Sequence, residues 1–174
     1  MATRTGRFRS RTSGRVATRT PPSAWRRFWP RSGPLISNAI AIVDAGPLYA
    51  AADRSDRGHD RSLAVLQRAD LHLVVPSLVV AEAAYLVGKC LGPRAEAAFF
   101  RGVSTFDIEA PIPHDWMRIA DLVEQYADFP LGGTDASVVA LAERLGTDTV
   151  ITLDQRHFRA VRPRHCPAFR LLSE

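Results

Sequence analysis

Four carboxylates stand where an acidic side chain needs a reason. Asp44 ends the apolar run Ala39-Ile40-Ala41-Ile42-Val43, and Asp154 ends Val150-Ile151-Thr152-Leu153. Glu82 sits amid Val79, Val80, Ala81, Ala83 and Ala84, and Asp135 lies in Gly132-Gly133-Thr134-Asp135-Ala136, at the start of an apolar segment. Each has a bland explanation when taken alone. A strand-end Asp is often a turn former or helix cap, a Glu near a helix start favours the positive end of the helix dipole, and Asp135 can be a capping carboxylate. Brought to one place, the four would repel unless neutralised. A hard divalent cation does that, and an all-oxygen donor set points to Mg²⁺ or Mn²⁺. Neither Cys nor His stands at ligand spacing, which argues against zinc. The chemistry such a centre suits is metal-assisted hydrolysis of a nucleic-acid phosphodiester. His157, three residues beyond Asp154, is read as a surface or supporting group rather than a ligand.

The charge distribution fits this picture once it is divided along the chain. The net charge is +5, but residues 1–43 hold nine arginines and no acid. The remainder carries 14 basic and 18 acidic residues, a net of −4, so the basic character belongs to the N-terminal segment. An acidic metal cluster leaves such a surplus, since the bound cation supplies the positive charge. Lys89 is the only lysine among 23 basic residues. The two cysteines, Cys90 and Cys166, lack metal-ligand spacing and read as idle thiols of a reducing compartment.

Positioning the acids requires alternating strands and helices. The run 39–43 reads as a buried parallel strand, followed by a turn at Gly46-Pro47. Apolar spacing gives a helix over 59–69, a strand over 71–75 closed by Pro76, and a helix over 77–90 with Ser77 as its cap. A helix over 93–101 and a strand over 103–108 come next. The segment 114–126 is amphipathic, with Trp116, Ile119, Leu122, Val123 and Tyr126 on its apolar side. A helix over 135–144 stopped by Gly146, a strand over 149–153 and an edge strand over 168–172 complete the series. Strands separated by helices imply an α/β fold with a central, mostly parallel sheet and helices on both faces. Ligands of such sheets bind at the carboxyl ends of strands, where Asp44 and Asp154 fall.

The chain resembles PIN domains, and in particular the VapC-type toxin ribonucleases of bacterial toxin–antitoxin pairs. The matching pieces are Ile42-Val43-Asp44-Ala45-Gly46-Pro47-Leu48, Val79-Val80-Ala81-Glu82, Gly133-Thr134-Asp135-Ala136 and Ile151-Thr152-Leu153-Asp154-Gln155-Arg156-His157-Phe158, in family order over roughly residues 40 to 173. The resemblance implies a PIN-like three-layer α/β/α sandwich and an Mg²⁺-dependent endoribonuclease in which Mn²⁺ substitutes. Asp44, Glu82, Asp135 and Asp154 would be the metal-binding catalytic acids, with Thr134 and Thr152 as groups that support them. It implies an RNA substrate, a cognate VapB-type antitoxin, a homodimer and a cytoplasmic location. One departure is Ala45, where many members carry Thr or Ser after the first acid; its missing hydroxyl would weaken metal affinity.

One folded domain is expected, a PIN domain over 38–174, preceded by an Arg-rich disordered tail over 1–37 that reads either as a nucleic-acid-binding arm or, in preference, as upstream sequence from a misplaced start codon. The apolar stretch 35–52 is interrupted by Asp44, so no membrane-spanning segment is expected. Arg156, Arg159, Arg162 and Arg164 are candidates for RNA phosphate contacts or a solvated basic edge. The competing reading is a catalytically silent PIN-like module that only binds RNA or a protein partner.

Overall fold

The computed structural model describes residues 39–129 and 131–172; the expected tail over 1–37 lies outside them. Among the described residues, five strands form one all-parallel sheet in the order β3-β2-β1-β4-β5, with β1 (Ala39–Val43), β2 (Leu71–Pro76), β3 (Asp107–Glu109), β4 (Thr149–Ile151) and β5 (Arg170–Leu172). Seven helices lie between them among the described residues: α1 (Ala45–Ala52), α2 (His59–Leu66), α3 (Ser77–Leu91), α4 (Pro93–Val103), α5 (Pro113–Gln125), α6 (Gly133–Leu145) and α7 (Gln155–Ala160). The architecture is the expected three-layer α/β/α sandwich. No helix among the described residues is long and apolar enough to cross a membrane.

The core follows from the apolar runs. Ile42, Val43, Val74, Val75 and Ile151 from the sheet are fully or almost fully buried, together with Leu48, Val79, Val87, Phe99, Leu122, Val138 and Phe158 from the helices. Helix α6 is buried over the whole stretch from Ala136 to Ala142 and packs against β1, β2, β4 and α3. It stops at Gly146, whose φ of +67° is left-handed backbone that a Cβ would strain.

Several local expectations are corrected. The Gly46-Pro47 pair is not a turn, because α1 starts directly after Asp44. Pro47 falls in the first helical turn, where the backbone N–H has no helical partner in any case, so proline loses nothing. Ser77 is the first residue of α3, preceded by Pro76, and makes no side-chain cap. The strand expected over 103–108 is reduced to Asp107–Glu109, because α4 continues to Val103 and buries it with Phe99 four residues earlier. The buried face of α5 differs too: Trp116 is 50% exposed and Val123 40%, whereas Asp115 and Arg118 are buried beside Ile119 and Leu122. Charge complementarity with α6 explains this. Arg118 Nε and Nη2 meet Glu143 at 2.8 and 2.9 Å, and Arg144 Nε meets Asp115 at 2.9 Å.

Candidate active site

The sheet order reverses at β1: the chain proceeds outward through β2 and β3, then returns to place β4 on the other side of β1. A crevice opens at the carboxyl ends of strands flanking such a reversal. The register pairs Ile42 with Val150 and Val43 with Ile151, so one step further Asp44 faces Thr152. The Asp44 backbone N–H donates to the Ile151 carbonyl at 3.0 Å, extending the ladder to the acid itself.

Asp44 is 7% exposed and both of its oxygens are held. Oδ1 accepts from the Ala45 N–H at 2.7 Å and Oδ2 accepts from the Thr152 hydroxyl at 2.8 Å. Burial pushes its carboxyl up to about 6; these two hydrogen bonds oppose the rise, and the negative charges of Asp135 and Glu82 add to it. Asp135, on the first turn of α6, is also pushed up, chiefly by burial and further by Glu82 and Asp154. His157 and a hydrogen bond from Gly132 N–H at 3.3 Å work against that rise. Asp44 thus feels the charges of Asp135 and Glu82, and Asp135 those of Glu82 and Asp154, groups drawn from the end of β1, the start of α7 and the first turns of α3 and α6.

The capping explanations are also realised. Asp44 precedes α1 and Asp154 precedes α7, where its Oδ1 accepts from the Arg156 N–H at 3.0 Å. Asp135 reaches back to Gly132. Capping alone does not account for the burial of Asp44 among like charges, since an Asn caps about as well.

Glu82 is exposed on α3, and the Asp154 side chain is 58% exposed, so these two line the open side. Thr152 is fully buried and ties the two strand ends together, its hydroxyl donating to Asp44 and its oxygen accepting from the Asp154 N–H at 3.0 Å. Thr134 is placed differently. Its carbonyl accepts from the Ser137 hydroxyl at 2.6 Å, and its own hydroxyl meets none of the acids among the described residues.

His157 is closer to the acids than its sequence position suggested. Its Nδ1 lies 3.2 Å from Asp135 Oδ2 and 3.8 Å from Asp154 Oδ2, and its ring stands edge-on to Phe129 at 5.4 Å between centroids. The missed signal was α7, which puts His157 one turn after Asp154 and turns it toward α6. The donor chemistry is that of a hard cation, oxygen-rich and free of thiolate. Among the described residues no three carboxylate, imidazole or thiol groups form a ready-made cage. Mg²⁺ does not demand one, since it retains several waters and is commonly bound through one or two carboxylates.

Comparison with known proteins is consistent with this geometry. The PIN domain family model matches residues 41–162. Ribonuclease VapC26 of Mycobacterium tuberculosis is 35% identical over 124 residues, covering 70% of this chain and 92% of that protein. Among solved structures, the sarcin-ricin-loop-cleaving toxin VapC20 of M. tuberculosis superposes with a TM-score of 0.62 at 16% identity, over 67% of this chain and 92% of its own. The VapBC2 structure from Rickettsia felis, bound to promoter DNA, gives 0.57 at 16% identity, over 76% and 96%. A toxin–antitoxin complex from Klebsiella pneumoniae gives 0.53 at 18% identity, over 75% and 99%. These likenesses establish the fold, and the family match together with the 35% relative establishes the kinship: the chain belongs to the PIN domain family.

Proposed function

We propose that this protein is a divalent-metal-dependent endoribonuclease and the toxin half of a toxin–antitoxin pair. The observation that carries the reading is the placement of Asp44 and Asp135, both buried enough to be pushed up in pKa, each feeling the other's field or that of Glu82 at the carboxyl end of a parallel sheet. Kinship with Ribonuclease VapC26 supports RNA as the substrate, and the VapBC neighbours support a VapB-type antitoxin as partner. A homodimer acting in the cytoplasm completes the proposal.

In this reading Asp44 and Asp135 are the most direct ligands of Mg²⁺, which Mn²⁺ replaces, with Glu82 and Asp154 completing the set from the open side. The bound cation would lower the pKa of a water and stabilise charge developing on the phosphate. The chain's own residues prepare the place. Ala45 N–H and Thr152 fix both oxygens of Asp44, so the carboxylate needs no reorientation when its charge is engaged. Gly132 N–H and His157 both meet Asp135 at its Oδ2. Glu82 and Asp154, the more exposed pair, are free to meet an incoming phosphodiester through a water or ion.

The test is cleavage of single-stranded RNA by the purified full chain with Mg²⁺, with Mn²⁺ and with EDTA. Cleavage confined to the metal-containing reactions is expected, and undiminished cleavage in EDTA overturns the metal mechanism.

A further inference from the structure

Four arginines follow Asp154 within ten residues, and the fold gives each a different occupation. The Arg164 guanidinium approaches Asp121 at 3.5 Å, Arg162 donates to the Arg159 carbonyl at 3.0 Å, and Arg159 is hydrogen-bonded to Gln155. Arg156 differs from these three. It is exposed on α7, and its guanidinium carbon stands 5.5 Å from the centroid of the Phe129 ring. Among the described residues no carboxylate or carbonyl accepts from its guanidinium. Phe129 meets the His157 ring at an interplanar angle of 88°, and His157 Nδ1 is 3.2 Å from Asp135 Oδ2. A line of neighbours thus runs from the Arg156 guanidinium, through an aromatic and an imidazole ring, to a candidate catalytic carboxylate.

We propose that Arg156, with Phe129 beside it, is a stacking shelf for one nucleobase of single-stranded RNA beside the scissile phosphodiester. This deepens the ribonuclease reading and rests on it. A side chain that only neutralised phosphate would need charge alone, and an aromatic ring beneath it would add little. A guanidinium that rests near a ring by cation–π attraction still offers a planar cationic face to a base. Bases splayed from single-stranded RNA stack on aromatic rings and arginine planes, whereas a paired duplex hides those faces. The shelf therefore selects unpaired RNA and sets which nucleotide sits next to the acids.

The experiment uses the full chain and a single-stranded RNA that it cleaves, scanned with one abasic nucleotide at successive positions around the cleavage site. Losing one stacked base should lower wild-type kcat/KM by roughly 5- to 100-fold at one or two adjacent positions. Arg156→Lys keeps the charge without the plane, and Phe129→Leu keeps apolar bulk without the π face. Both should slow cleavage of intact RNA and flatten the abasic profile, while Phe129→Tyr restores it. An Arg156→Lys protein with the wild-type abasic profile overturns the shelf in favour of a simple phosphate contact. Fluorescence anisotropy of the same oligonucleotides in EDTA reads the stack without catalysis. A wild type that cuts no RNA would therefore overturn the nuclease reading, while preference for the intact over the abasic oligonucleotide in binding, and its loss in Arg156→Lys, still decides the shelf.

Discussion

The Thr152 hydroxyl donates to Asp44 Oδ2 at 2.8 Å, joining residues 108 positions apart through a bond that neither strand could make alone. The same oxygen accepts from the Asp154 N–H, so one small buried side chain sets the spacing of two acids. Thr152→Val keeps the shape and removes both bonds. Urea denaturation should show a loss of about 1–3 kcal/mol, the usual consequence of unpairing buried polar groups. The Asp44 carboxyl should move above its present value of about 6. RNA cleavage at pH 7 should fall and recover in part at higher pH. Thr152→Ser should restore both, and a Val variant with the wild-type pH–rate profile would show that the hydroxyl does not tune Asp44.

Asp135→Asn separates capping from catalysis. The amide oxygen still accepts from Gly132 N–H, so the start of α6 is retained, and removing one of several like charges should leave metal-free stability unchanged or slightly higher. Cleavage should fall by orders of magnitude, and growth arrest on expression should vanish. A variant that cuts RNA at the wild-type rate would return Asp135 to a capping role.

Stability in the absence of metal should fall as pH rises through the range set by Asp44. Its folded value of about 6 exceeds the ordinary 3.8, so the folded chain holds this proton more tightly than the unfolded chain. The resulting advantage is complete below the unfolded value and is lost as pH climbs through the folded one, an effect of about 3 kcal/mol. Asp135 acts with the same sign. Glu143 acts oppositely: burial raises its carboxyl, but the Arg118 guanidinium and the Arg164 N–H outweigh that and hold it low, so its contribution is lost only as pH falls through its depressed value. Denaturant titrations from pH 4 to 7 in EDTA should show the Asp44 slope, and Asp44→Asn should flatten it.

Millimolar Mg²⁺ or Mn²⁺ should raise the melting temperature at pH 7 by mass action on the folded state. Asp44→Asn should shrink that rise. Melting curves that do not move for wild type in either metal would mean that the acids bind no cation in the folded chain.

The α5–α6 contact should depend on a buried ion pair. Arg118 and Glu143 have side chains 4% and 12% exposed. Arg118→Met leaves Glu143 buried with one backbone donor, from Arg164, and should destabilise by about 3–5 kcal/mol. The double variant Arg118→Met, Glu143→Leu should recover much of that loss. If the single variant unfolds at the wild-type urea midpoint, the pair is not a significant constraint on α6.

The parallel α/β plan and the strand-end position of Asp44 were legible in the chain, because a strand buried on both faces must be a short apolar run and an acid closing it stands out; Asp154, expected to close β4, instead caps α7 three residues beyond it. The existence of α2 to α6 was legible for the same reason, in the spacing of Leu66, Val79, Val87, Leu122 and Val139. Shorter and mixed signals were not legible. α1 looked like a turn because Gly-Pro is judged by its neighbours, and only the strand-to-helix junction at Asp44 places Pro47 where its missing N–H is harmless. The inward face of α5 was misassigned to Trp116 and Val123, since no local pattern shows that Glu143 and Arg144 on α6 will receive Arg118 and Asp115. The candidate site divides along the same line. Residue type and motif order singled out its acids, but the fields between them, the Thr152 bridge and the approach of His157 to Asp135 depend on contacts between segments far apart in sequence. Those contacts were decided by the β1–β4 register and the packing of α6 and α7, because electrostatic and hydrogen-bond energies depend on distances in space.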